Sequence, residues 1–259
     1  MMENIAAVIQ ARLGSSRLPG KTLMIIKGET LLGHLIKRIK VSRYVTDIII
    51  STTTNKIDDS IVEFARERNV RAYRGSEEDV LDRFYKTAME YRLRTIVRVT
   101  PDCPMLDPGV MDRVISKYLS GDYDYVSNTI KPTYPDGFDT EVFSFHALER
   151  AWREAKRYSE REHVTPYIVK NPKLFRLNNV EKNGEDLSWM RFTVDTPEDY
   201  EFVSKIFEKL YDTKGIFYMD DILEILRENP ELCSINKGIS RNEGYRISLQ
   251  KDEEHEINR

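Results

Sequence analysis

Through the first half of the chain, short β-branched runs alternate with stretches whose apolar residues recur every three or four positions, and this alternation narrows the possible folds most. Ile5–Gln10 reads as a strand. Leu31–Ile39 reads as a helix, with Leu32, Leu35, Ile36 and Ile39 on one face and Thr30 as its N-cap. Further strands are predicted at 48–51, 70–73 and Thr95–Val99. Between them, helices at 58–69 and 77–91 turn Ile61, Phe64 and Ala65, and Val80, Leu81, Phe84 and Ala88, inward. The pattern is that of βαβ units: an α/β fold with a mainly parallel sheet and helices on both faces. The last of these strands runs into Pro101-Asp102-Cys103-Pro104, where two prolines stop regular pairing.

Beyond this point the rhythm changes. Strands are expected at 123–127 and 140–145, a small inserted β elaboration with Pro135-Asp136-Gly137 supplying turn chemistry. Helices follow at 146–157 and 163–169, and apolar runs at 174–180 and 190–194. Thr196-Pro197-Glu198-Asp199 then gives a strong helix start, and a final helix covers 220–228. No repeat or low-complexity linker divides the chain. The reading is one domain over 1–235, making the sheet mixed but mainly parallel, with 236–259 as a polar, mobile tail.

A net charge of −3 gives no basic field to attract nucleic acid, so an anionic ligand has to be held by locally placed cations. Cys103 and Cys233 have no metal-ligand spacing, and the four histidines form no i, i+4 pair, so no zinc site is expected. The N-terminus lacks signal-peptide features, and no apolar stretch approaches the roughly 18 residues of a membrane span. A cytoplasmic protein with no membrane partner is expected.

The first strand leads into Ala11-Arg12-Leu13-Gly14-Ser15-Ser16-Arg17-Leu18-Pro19-Gly20-Lys21. Ligands of open α/β sheets bind beyond the carboxyl ends of strands, which is where this loop lies. Two glycines allow close backbone approach, and Arg12, Arg17 and Lys21 can neutralise phosphate. A P-loop is excluded, because Gly14 and Gly20 are one residue too far apart and Lys21 opens a β-like run rather than a helix. The dinucleotide fingerprint G-x-G-x-x-G is absent. Asp102 and Asp195 each end a predicted strand on the ligand side, where two converging carboxylates suit magnesium. The alternative is that Asp102 caps a turn and Asp195 caps the next helix. Ser51 and Thr52, at another strand end, are candidate nucleotide contacts.

Taken whole, the loop resembles the signature of cytidylyltransferases that activate sugar acids, above all the spore-coat polysaccharide biosynthesis protein F family, related to acylneuraminate and 3-deoxy-manno-octulosonate cytidylyltransferases. The resemblance extends through Arg74-Gly75-Ser76-Glu77-Glu78-Asp79-Val80-Leu81-Asp82-Arg83, Arg98-Val99-Thr100-Pro101-Asp102-Cys103-Pro104, Tyr134-Pro135-Asp136-Gly137, Glu162-His163-Val164-Thr165-Pro166-Tyr167 and Val194-Asp195-Thr196-Pro197-Glu198-Asp199. It implies a nucleotide-diphospho-sugar transferase-like (Rossmann-like) fold. The implied reaction is CMP transfer from CTP to a sugar acid or similar small acidic acceptor, releasing pyrophosphate, in surface polysaccharide or glycoconjugate biosynthesis. By the same resemblance Arg12, Lys21, Asp102 and Asp195 are catalytic, and Asp102 and Asp195 hold Mg2+. Ala11, Arg12, Gly14, Ser15, Arg17, Lys21, Gly75, Ser76, Arg83 and Thr100 would contact nucleotide. Asp136, Asp139, Glu141, Glu162 and His163 are candidates for the acceptor side, and a homodimer sharing the strands at about 123–145 is implied. Pro101 departs from the pattern, which has glycine there, and removes an N–H beside the metal site. Two alternatives stay open: a nucleotidyltransferase or glycosyltransferase of the same fold using another nucleotide, and a non-catalytic nucleotide-binding module.

Overall fold

The computed structural model describes residues 4–15 and 17–257. In chain order β1 (Ile5–Gln10) is followed by a hairpin of β2 (Ile25–Ile26) and β3 (Glu29–Thr30). Next come α1 (Leu31–Ile39), β4 (Asp47–Thr53), α2 (Asp59–Glu67), β5 (Arg71–Gly75), α3 (Val80–Glu90), β6 (Thr95–Val99) and α4 (Pro108–Leu119). The second half contains β7 (Tyr125–Ser127), β8 (Glu141–Ser144), α5 (Phe145–Glu154), α6 (Tyr158–His163), α7 (Pro166–Lys170), β9 (Leu177–Asn179), α8 (Pro197–Lys214), α9 (Met219–Glu228) and α10 (Glu243–Ile257).

Period-two side-chain placement explains the layers. Along β1, Ile5, Ala7 and Ile9 join an apolar cluster with residues of α1, α2 and α4, while Ala6 and Val8 join another with α3, α5 and α7. A strand buried on both faces is what a central parallel strand requires, and β1 pairs in parallel with β4 and β6. The seven-stranded sheet runs β5-β4-β1-β6-β8-β7-β9, and β8 alone is reversed, antiparallel to β6 and β7. A third cluster, built on α8 and α9, packs under the loops carrying Phe138, Phe192 and Val194. The mixed, mainly parallel sheet with helices on both faces is as expected.

Four local expectations need correction. Helix α4 was not anticipated, although Asp107 caps it by accepting from the N–H groups of Gly109 and Val110 and Pro108 opens it, the same start signal that marks α8. The strands expected as an elaboration are part of the main sheet. β7 and β8 lie between β6 and β9 in that sheet. The apolar run at 190–194 forms no strand, only a bridge between Asp136 and Arg191. Within the segment expected as a mobile tail, Glu243–Ile257 is helical and packs on α6. The Ser159 N–H donates to Asp252 (3.0 Å), and His163 Nε2 bonds Ser248 Oγ (2.9 Å). Its buried face carries Ser248 and Asp252, so hydrophobic periodicity could not reveal it. Among the described residues no helix is long and apolar enough to cross a membrane.

Two histidines serve the fold as neutral groups. His34 Nε2–H donates to Ile26 O (2.8 Å), and burial holds its pKa down to about 4; burial, then Arg98, does the same for His163, also to about 4. The unfolded chain, titrating near the ordinary histidine value, therefore binds more protons between the two. Stability is present above pH 6.5 and lost as pH falls toward 4, with a limiting slope of about 1.4 kcal/mol per pH unit for each histidine. Urea unfolding from pH 7.5 to 4.5 is expected to show this decline, with a shallower slope in His163→Gln. An equal slope in that variant would remove His163 from the account.

Candidate active site

The loop after β1 is tied down from below. Asp58 accepts from the Leu13 N–H (2.7 Å) and from the Thr53 hydroxyl, and the Thr22 hydroxyl donates to Arg12 O (2.9 Å). Gly20 closes the loop by donating to Leu13 O (3.0 Å) at φ +73°, where a side chain would be strained. Ser16 lies outside the described residues. Each cation of the loop rests on carboxylate. Arg12 meets Glu77 (3.2 Å) and Glu162 (3.5 Å), and Arg17 meets Asp195 (3.0 Å) and Glu243 of α10 (2.7 Å). A polyphosphate arriving here would exchange these carboxylates for phosphate oxygens on the same donors.

Lys21 joins the loop to the two aspartates. Its ammonium lies 2.6 Å from Asp195, 3.3 Å from Asp102 and 2.8 Å from Val194 O. Burial works against that charge, but the two carboxylates outweigh it and hold the Lys21 pKa above its usual value. For Asp195, burial favours the neutral acid, yet Lys21, Arg17 and Arg191 keep its pKa below normal. The two acids thus converge on one ammonium. Nor is Asp195 the cap of α8: Thr196 accepts from the Asp199 N–H, and Asp199 accepts in turn from the N–H groups of Asp195 (3.0 Å) and Thr196 (3.1 Å).

Residues 190–194 form the wall between this centre and the turn that carries Asp136. The Val194 N–H donates to Asp102 O (2.8 Å) on one side, and the Phe192 N–H to Asp136 O (2.7 Å) on the other. Arg191 is buried there and contacts Asp136 (2.8 Å), Asp195 (2.8 Å) and Asp199 (2.9 Å). Gly137 faces the same wall at φ +106°, and a Cβ on it would meet the Phe192 carbonyl carbon at 2.7 Å. Asp139 pairs with Arg241, which also donates to Tyr134 O (3.1 Å). Burial first, then Asp139, pushes Asp136 up to about 7 against the pull of Arg241 and Arg191.

Several predicted contacts lie elsewhere. Ser51 and Thr52 are fully buried in an interior strand; the Ser51 hydroxyl bonds that of Thr87 (3.0 Å), so neither side chain reaches a ligand surface. Glu141 is a core group: it pairs with Arg98, its register partner across β6 and β8, and accepts from Tyr125 (2.6 Å) and Thr165 (2.5 Å). His163 is turned to α10, where its ring meets Tyr245 edge-on. Glu162 faces Arg12 of the loop after β1. Ala11 is buried and continues the ladder of β1 by donating to Ser51 O, while Gly14 and Ser15 form the outer turn. Gly75 and Ser76 end β5 beside Arg83, which donates to Ser76 O, and burial, then Arg12, lowers the Arg83 pKa to about 10. Thr100 lies against Cys103 (3.4 Å) in the Asp102 turn. Asp58, Glu77, Arg191, Arg241 and Glu243 were missed; only Glu77 lies in a segment already singled out by sequence.

Residues 6–227 match the family model described as cytidylyltransferase. The chain belongs to the cytidylyltransferase family. Its relatives include an uncharacterized protein of Methanocaldococcus jannaschii, 39% identical over 93% of this chain and 98% of that one. Spore coat polysaccharide biosynthesis protein SpsF of Bacillus subtilis is 32% identical over 90% of this chain and 98% of its own length. Among solved structures, a cytidylyltransferase from Leptospira borgpetersenii superposes with a TM-score of 0.86 at 31% identity, covering 92% of this chain and all of that one. This cytidylyltransferase is therefore a nucleotidyltransferase of the nucleotide-diphospho-sugar transferase-like fold.

Proposed function

We propose that this cytidylyltransferase transfers CMP from CTP to a small acidic sugar acceptor, releasing pyrophosphate, with magnesium held by Asp102 and Asp195. The observation that carries the reading is Lys21, an ammonium from the loop after β1 seated between both aspartates. That ammonium marks a place where the protein already concentrates cationic charge. The donor set fits magnesium, which takes one or two carboxylates and fills its shell with substrate phosphate and water. When bound, the ion would polarise the α-phosphate and favour the ionised acceptor hydroxyl. In the reaction an acceptor oxygen forms a bond to the α-phosphorus as the bond to the bridging oxygen of the β-phosphate breaks. Lys21, Arg12 and Arg17 hold the phosphates in line and balance the charge that grows on the leaving pyrophosphate. The sugar-acid acceptor rests on the motif resemblance, and a role in surface polysaccharide synthesis on the name of the Bacillus subtilis relative.

The test is a pyrophosphate-release screen of CTP, UTP, ATP and GTP with sugar acids and magnesium. CTP is expected to be preferred; equal use of all four triphosphates would remove the cytidine assignment, and release only from a nucleotide sugar would favour a glycosyltransferase. Arg12→Ala should lower kcat/KM for CTP by about tenfold or more, the worth of one charged hydrogen bond. The Arg12 side chain is 39% exposed, so truncation leaves no cavity, and stability should change by only about 0.5 kcal/mol. Unchanged efficiency would return Arg12 to the solvated surface.

A further inference from the structure

We propose that Arg191 is a positioning residue that sets the orientation of the Asp195 carboxylate and locks it to the wall carrying Asp136. The inference rests on the reading of Asp195 as a magnesium ligand. The guanidinium plane is fixed first by Asp199, whose two oxygens receive Nε–H (2.9 Å) and Nη2–H (3.0 Å) in a fork. Asp199 is itself fully buried and anchored at the start of α8 by backbone N–H groups. From that fixed plane Nη2 also donates to Asp195 Oδ2 (2.8 Å), and Nη1 donates to Asp136 Oδ2 (2.8 Å). With Oδ2 taken, it is Oδ1 of Asp195 that turns to Lys21 and Arg17. One side chain therefore decides which oxygen the site receives.

Charge alone gives the opposite expectation. A cation beside a metal ligand repels the metal, so its removal should tighten cation binding. Orientation by an outer hydrogen bond has the reverse sign, and losing such a partner costs roughly tenfold or more in metal affinity. Arg191→Lys separates the two effects, because it keeps the charge and loses the planar fork.

The experiment titrates Mn2+ into the full-length protein with CTP present, read by electron paramagnetic resonance, alongside thermal unfolding. Arg191→Lys should bind Mn2+ roughly tenfold more weakly than wild type. Asn236→Ala removes a bond to Arg191 O and one to Asp199 (both 3.0 Å) without touching Asp195, and should lower the melting temperature while leaving Mn2+ affinity unchanged. A folded Arg191→Lys with wild-type affinity overturns the inference. If that variant does not fold, the pair Arg191→Gln, Asp199→Asn decides: it leaves the net charge unchanged and removes the fork, so Mn2+ binding should weaken in the same direction, and wild-type affinity there overturns the inference equally. Absence of Mn2+ binding by the wild type would defeat the metal reading itself, a result distinct from either.

Discussion

Asp195→Asn and Asp102→Asn should each lower magnesium-dependent pyrophosphate release by roughly a hundredfold or more. Each substitution keeps the shape of the side chain and removes one negative charge from a site proposed to hold a hard cation. Both carboxylates contact the same ammonium, so they act as a unit, and the double variant should be little slower than either single one. Their stabilities should differ. Asp195 balances Lys21, Arg17 and Arg191, whereas the ion pair of Asp102 is with Lys21 at the longer distance of 3.3 Å. Asp195→Asn should therefore unfold at lower denaturant than Asp102→Asn, by up to about 3 kcal/mol. The measurement is a magnesium titration of the rate for wild type, both singles and the double. A normal rate and magnesium dependence in Asp195→Asn would end the two-carboxylate mechanism.

Lys21→Ala should be as damaging to the rate and more so to the fold. The sequence places Lys21 in a polar loop, where truncation would cost little, but its side chain is only 10% exposed, and its ammonium compensates two carboxylates. Without it those carboxylates repel each other in a partly buried site, a loss of about 3–5 kcal/mol when a buried pair is broken on one side. Adding Asp195→Asn to Lys21→Ala should recover part of that stability, because it removes one of the two repelling charges. The coupling is read from a double-mutant cycle in urea unfolding. A simple sum of the two single losses would mean that the ion pair contributes nothing.

What could be read from the sequence follows the reach of local physics. β1, α1 and β6 were bounded correctly because period-two and period-3.6 patterns, and the Thr30 cap, lie within a few residues of each other. The loop after β1 and the two aspartates stand out by chemistry and spacing. The errors lie where a partner is distant in sequence. Glu141 looks like a free acid beside a turn until β8 pairs with β6 and sets it opposite Arg98. Ser51 looks accessible at a strand end until α3 brings Thr87 over it. Arg191 gave no signal, because its three carboxylates are gathered from a loop and a helix start. Helix α10 escaped notice because it docks through hydroxyl, carboxylate and imidazole groups rather than an apolar stripe.

Gly137 gives the turn after Asp136 a fixed gauge against residues 190–194. With no atom beyond its Cα, the turn after Asp136 lies directly on the Phe192–Thr193 backbone, and a methyl group there would act as a shim between the two walls. The spacing between the turn and this wall is thus written in main-chain contact rather than in side chains. Exchanging neighbouring side chains leaves that spacing the same. Widening it would demand that the turn be rebuilt.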